Sequence, residues 1–289
     1  MGLITVTAVV DFVTVVFVLA TMLSMGLALT TDEILASLGH HRLMAKSLLV
    51  NLVLVPLLAF AFVLAVPMET GHVVGLLLIA MAPGAPFGPK LAEISRSDVA
   101  FASGLMAVLG VVSVATIPVT VALLMPGDVA ADPAGIARIV VLTQLVPLVG
   151  GLAVRARFQS VATRLHPPVQ KLSTALLVLL VVLLTVAYAG EMRQLVGTGT
   201  LLISTVVVVG SLLLGYALGG PAKSTREVLA TTTAARNVAI ALLIATTNFT
   251  EPAVLTIIVA FGLLSLVVSG PVASLWGRDS QGSPANDQT

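Results

Sequence analysis

Apolar residues run along this chain in blocks about as long as a bilayer is thick, and polar residues gather between the blocks. Charges and turn formers delimit about nine of them, at 10–30, 47–66, 72–95, 99–124, 136–155, 171–190, 198–219, 227–248 and 252–275. Each is close to the ~20 residues a helix needs to cross ~30 Å of hydrocarbon at 1.5 Å per residue. The two-residue alternation of an outer-membrane barrel is absent. The pattern therefore predicts an all-α polytopic membrane protein. The start, MGLITVTAVVDF, lacks the basic region of a cleavable signal, so the first block reads as a retained helix. The stretch after Trp276, GRDSQGSPANDQT, is polar and reads as a disordered tail over 276–289, which leaves 1–275 as one membrane domain.

Composition strengthens this picture and removes several functions. The chain is 58% hydrophobic and 9% charged, with a mean hydropathy of +1.12, well under half the charge of a soluble domain. A net charge of +1 gives no reason to expect nucleic acid. Cysteine is absent, so disulfides, thiolate metal sites and a Cys nucleophile are excluded. His40, His41, His72 and His166 read as loop or segment-end residues, which assembles no metal or Ser–His centre inside the membrane. No phosphate-binding glycine loop is present. The sequence points to transport or binding, with no enzyme activity, cofactor or metal expected.

Two blocks are abnormal. The third contains MAPGAPFGPK (81–90), which crowds Pro83, Gly84, Pro86, Gly88 and Pro89 ahead of Lys90. The eighth carries Arg236 and Asn237 near its centre, ten residues beyond Arg226 and so ~15 Å along a helix. Shifting the chain by 153 positions lays 97–119 over 250–272, with Asp98 on Glu251 and Pro118 on Pro271, and lays Pro83-Gly84 on Arg236-Asn237. The same shift superposes blocks one to four on blocks six to nine. It makes two repeats (about 10–124 and 136–275), the first lacking its opening helix. An odd number of crossings per repeat inverts one repeat relative to the other, the plan of secondary transporters with interrupted helices.

An interruption in lipid strands backbone groups at several kcal/mol each, so both breaks must lie inside protein or beside a wet cavity. Half-helix N-termini are expected near 85–87 and 237–239, with free N–H groups suited to an anion. The candidate substrate-binding residues are Pro83, Gly84, Ala85, Pro86, Lys90, Thr232, Thr233, Arg236 and Asn237. Lys90 either faces the cavity or snorkels beside Glu93 and Arg96. Thr231, Thr232 and Thr233 either back-bond to their helix or offer hydroxyls to the cavity. Asn51 and Gln144 read as helix-to-helix hydrogen-bonding residues.

Loop charge sets the orientation. With Lys90 and Arg236 set aside, one side holds Arg42, Lys46, Arg96, Arg155, Arg157, Arg164, Lys171, Lys223, Arg226 and Arg278, and the other only Arg138 and Arg193. The N-terminus is expected outside and the C-terminus inside, in the manner of a bacterial inner-membrane protein. Monomer and homodimer are both compatible with the sequence.

The motifs MLSMGLALTTDEI (22–34), NLVLVPLLAF (51–60), APG (82–84) with SRSDVAF (95–101), QLVPLVGGLAVRARF (144–158) and ARNVAIALLIA (235–245) together resemble the bile acid:sodium symporter family over nearly the whole chain. The resemblance implies an inverted-repeat fold in which two discontinuous helices cross at the midplane. It also implies a panel domain (10–66 in part and 136–190), a core domain (72–124 and 198–275), and sodium-driven uptake of amphipathic organic anions. By the same resemblance, sodium-ligand positions fall on Gly88, Pro89, Thr232 and Arg236. The first two offer no side-chain oxygen, and an arginine repels a cation. The resulting expectation is a sodium-independent organic-anion transporter in which Arg236 and Lys90 stand in for bound cations. Sodium-coupled symport and a non-transporting sensor module are the alternatives. A related arsenite exporter would use a cysteine that this chain lacks.

Overall fold

The computed structural model describes residues 2–30, 32, 34, 35, 39–126, 132–249 and 251–282, nearly all helical. In chain order the helices are α1 (Gly2–Ala28), α2 (His41–Ala65), α3 (Thr70–Met81), α4 (Gly88–Ser95), α5 (Val99–Leu124) and α6 (Pro133–Arg157). They continue with α7 (Gln159–Ala187), α8 (Ala189–Leu195), α9 (Thr200–Leu218), α10 (Lys223–Ala234), α11 (Val238–Asn248) and α12 (Pro252–Gly282). Among the described residues, 8 spans are long and apolar enough to cross a bilayer, with α10 and α11 together forming Lys223–Asn248. The remaining expected block, 72–95, is divided between α3 and α4, neither long enough to cross alone. The chain is an all-α polytopic membrane protein.

Two expectations change at the segment edges. Helix α7 begins at Gln159, not near residue 171, and carries Pro167 and Pro168 within it. The carbonyls that lose N–H partners to these prolines belong to Thr163 and Arg164, both exposed, where water can replace the lost bonds. His166 therefore sits inside a helix and not in a loop. At the other end of the chain, α12 runs on to Gly282, through the first part of the expected tail. Trp276 stacks on Tyr216 with ring centroids 5.7 Å apart, and the Arg226 guanidinium lies 5.8 Å from the Tyr216 centroid. Residues 283–289 lie outside the described residues.

Glycines set the closest helix crossings. A Cβ on Gly26 of α1 would lie 2.2 Å from the Leu148 carbonyl of α6, and one on Gly151 would lie 2.7 Å from the Leu23 carbonyl. Helices α1, α6 and α7 form one layer on this contact. In the other group, Gly75 of α3 meets Val254 of α12, and Gly215 of α9 meets Leu229 of α10 with equal closeness.

The broken segments occupy the interior. In Lys223–Asn248, 94% of the most apolar window is buried, against 17% in Gln159–Ala187. Helix α3 is buried from Gly71 to Met81. Interrupted backbone is thus kept from lipid, as its unpaired groups require. Helices α2 and α6 each contain a π turn, Val50–Leu54 and Val141–Leu145, followed by Pro56 and Pro147.

Candidate functional site

The first break follows from its residues. Ala82 precedes a proline and leaves the helical region (φ −101°, ψ 82°). Gly84 takes φ 85°, a conformation that side chains other than glycine resist. Helix α4 then opens at Gly88, with Pro89 in its first turn, where an N–H would have no intrahelical partner.

The second break contains neither glycine nor proline. Ala235 is extended (φ −80°, ψ 118°), and Asn237 caps α11 by accepting from the Ile240 N–H at 3.2 Å. Its stabilisation comes from the first break. The Asn237 N–H donates to the Ala82 carbonyl at 2.9 Å. That carbonyl's helical partner would have been Pro86, which carries no N–H.

Arg236 completes the exchange. It is fully buried (0% exposed), the first of the large side chains in that state. Its Nε donates to the Ile79 carbonyl at 3.4 Å, and Nη2 donates to the Ala80 carbonyl. Nη1 reaches Asn51 Oδ1 and Nη2 the Asn51 carbonyl, each at 3.1 Å. These acceptors are surplus for identifiable reasons. The i+4 partner of Ile79 would be Pro83, so its carbonyl takes only the Ala82 N–H, at 3.2 Å, and that of Ala80 would be Gly84, beyond the break. In α2 the Val55 N–H bonds to the Val50 carbonyl, as a π turn demands, so the Asn51 carbonyl loses its partner, while Pro56 has no N–H to offer. Prolines in two segments leave carbonyls short of their helical partners, and the guanidinium of a third segment bonds to them. No carboxylate pairs with Arg236 among the described residues.

A cavity of about 710 Å³ lies between the two helix layers. Its walls include Pro86, Phe87, Pro89 and Lys90 from the start of α4, and Val238 and Ala239 from the start of α11. Among the described residues no acceptor takes the N–H of Lys90 or of Ala239. Facing these are Phe17, Thr21 and Met25 of α1 and His166, Gln170 and Ser173 of α7. The lining runs out past Ala28, Glu93 and His166, at the helix ends on the Lys/Arg-rich side.

Of the candidate residues read from the sequence, Pro86 and Lys90 line this cavity. Pro83, Gly84, Ala85, Thr232, Thr233, Arg236 and Asn237 are buried behind it. Thr231 and Thr232 back-bond to the Glu227 and Val228 carbonyls at 2.9 and 2.7 Å, and Thr233 accepts from Asn51 Nδ2 at 3.2 Å. Lys90 is exposed and pairs with Glu93 at 2.6 Å. Asn51 and Gln144 make the expected helix-to-helix bonds, Gln144 Nε2 donating to the Gly110 carbonyl at 2.6 Å. Gly88 packs so closely on Thr232 that a Cβ there would sit 2.9 Å from Thr232 Cγ2. At the positions the resemblance gives to sodium ligands, Gly88 and Pro89 carry no side-chain oxygen, the Thr232 hydroxyl bonds to its own helix, and Arg236 presents a guanidinium.

The wall contributed by α1 and α7 was not anticipated. The Ser24 hydroxyl donates to Gln170 Oε1 at 2.6 Å, and the Thr21 and Ser173 hydroxyls share a 2.6 Å bond. A signal existed: His166, Gln170, Ser173 and Thr174 recur at helical spacing, but they straddle the point where the apolar block begins.

Two interrupted helices that meet at their breaks inside a helical membrane domain, with their half-helix starts at one cavity, define the class as a polytopic membrane protein. The sequence model of the Sodium Bile acid symporter family matches residues 15–198, and the chain belongs to that family. It is similar to the chloroplastic "Probable sodium/metabolite cotransporter BASS2" of Oryza sativa subsp. japonica, 24% identical over 273 residues, covering 92% of this chain and 64% of the relative. It also resembles the chloroplastic "Probable sodium/metabolite cotransporter BASS1" of Arabidopsis thaliana, 22% identical over 275 residues, covering 92% of this chain and 67% of the relative. The chain thus spans about two thirds of the length of these relatives.

Proposed function

We propose that the protein is a secondary transporter that carries an organic anion with an apolar body by alternating access, without drawing on a sodium gradient. One observation carries this reading: the half-helix starts at Lys90 and Ala239 bring unbonded N–H groups to one largely apolar cavity, with the uncompensated charge of Arg236 behind them. In this reading the guanidinium acts as a permanent cation among carbonyl oxygens and does not itself touch substrate. The two breaks belong to inverted repeats, the α1–α6–α7 layer moves against the rest, and the basic face is cytoplasmic. The cavity in this conformation then opens inward.

Sodium coupling is the second reading, favoured by the names of the two relatives. Purified protein in liposomes separates the two. Counterflow of a labelled organic anion should occur at equal rates in sodium and choline buffers. A strict sodium requirement would overturn the role given to Arg236. Binding without counterflow would make the protein a sensor and not a carrier.

A further inference from the structure

Helix α7 has 29 residues, ~43 Å of helix against ~30 Å of hydrocarbon, so about two and a half turns extend beyond the apolar layer. The side chains of those turns divide into three faces. Ala162, His166, Val169 and Ser173 point inward, the first and last buried. Val161, Leu165 and Leu172 form an exposed apolar stripe, at 43%, 45% and 48%, joined at its start by Phe158 at 60%. Arg164 and Lys171 form an exposed basic stripe beside it, seven residues apart and so on one line. Arg155 and Arg157, in the last turn of α6, add to the same end of the molecule.

These cations have no local acid. No Asp or Glu occurs between Asp132 and Glu191, and none of the salt bridges among the described residues involves them. A basic row beside an exposed apolar stripe, at the level where a helix leaves hydrocarbon, matches one partner in both charge and polarity. We propose that this face of α7, with the end of α6, binds an anionic phospholipid of the leaflet on the basic side. Arg164 and Lys171 would take the phosphodiester, with Arg157 adding to the field farther out, while Leu172 meets the upper acyl chain and Val161 and Leu165 lie at headgroup level. The proposal does not depend on what the cavity carries. It does place a lipid on the outer face of the helix whose inner face presents His166 and Gln170 to that cavity.

The test is lipid retention by the detergent-purified full chain, followed by native mass spectrometry with added phosphatidylglycerol or phosphatidylcholine. The wild type should retain phosphatidylglycerol preferentially and lose it as salt is raised. Each neutralised cation should weaken retention about fivefold, the equivalent of ~1 kcal/mol per charge near a membrane surface. The series is R164Q, then R164Q/K171Q, then R157Q/R164Q/K171Q, so a failure of the triple variant to fold leaves the first two steps readable. Thermal stability with inorganic phosphate is the companion measurement and should show no shift. Equal retention of the two lipids by the wild type, unchanged retention in R164Q/K171Q, or full reproduction of the effect by inorganic phosphate would overturn the proposal.

Discussion

The Asn237 N–H and the Ala82 carbonyl, 2.9 Å apart, are each the missing partner of the other's helix break. Prolines in the first break remove donors and leave surplus carbonyls, while Arg236 and Asn237 in the second supply surplus donors. Neither interruption is tolerable in a dry interior without the other. The crossing is therefore a stability requirement before it is a functional device.

Asn237 allows cap and charge to be separated. Asn237→Ala removes the acceptor for the Ile240 N–H and should cost ~1 kcal/mol, read as a lowered melting temperature. Asn237→Asp keeps an acceptor at the cap but puts a negative charge beside Val238 and Ala239 in the cavity wall. It should stay folded and bind organic anions at least ~10-fold more weakly, since ~1.4 kcal/mol of repulsion suffices. An aspartate variant that is folded and binds as tightly as wild type would mean that the α11 start plays no part in anion binding.

Arg236 fills a cage of four oxygens, from Ile79, Ala80 and the main and side chain of Asn51. Arg236→Ala takes this donor from all four, Ile79 alone keeping the Ala82 N–H, and should destabilise by more than ~3 kcal/mol, because each buried acceptor left unpaired costs ~1–3 kcal/mol. Loss of function in that variant would report unfolding. Arg236→Gln is the informative change: its amide retains some donors while the positive charge is gone. Sodium should raise the melting temperature of Arg236→Gln above that in choline and leave the wild type unmoved. Equal responses of the two proteins would show that the cage does not serve as a cation site.

The two breaks differed in how far they could be read from the chain. Pro83, Gly84, Pro86 and Pro89 end and restart a helix by local sterics, so that interruption was visible in a short window. The second was flagged only by the cost of placing Arg236 deep in an apolar block. Its acceptors were not legible, because residues 51, 79 and 80 are remote in sequence and are left short of partners by a π turn and by prolines elsewhere. The cavity wall on α7 was missed for a related reason: His-Pro-Pro at 166–168 reads as a loop, whereas packing of Ala162 and Ser173 holds it helical.

Gly26 and Gly151 carry the α1–α6 crossing. Alanine at either position would put a methyl against backbone 2.2–2.7 Å away, which no rotamer change relieves. Each substitution should cost ~3 kcal/mol or more, at the upper end of overpacking effects. The double variant should cost less than the sum, since the first displacement already separates the helices. Melting temperatures of the two singles and the double test this, and strict additivity would mean the glycines do not share one contact.

Lys90 and Glu93 stand at the cavity mouth as an exposed pair, 70% and 52% accessible, so their mutual attraction contributes little to stability, ~0–1 kcal/mol. Their effect on a charged solute is opposite in sign and acts through the field at the entrance. Lys90→Ala should raise the apparent KM for an organic anion several-fold, and Glu93→Gln should lower it, with melting temperatures nearly unchanged in both. Because the pair is solvated, both shifts should shrink as ionic strength rises from 0.01 to 1 M and the Debye length falls from ~30 to ~3 Å. A cationic substrate would reverse both directions, so one pair of variants assayed at two salt concentrations tests the sign of the transported charge independently of Arg236.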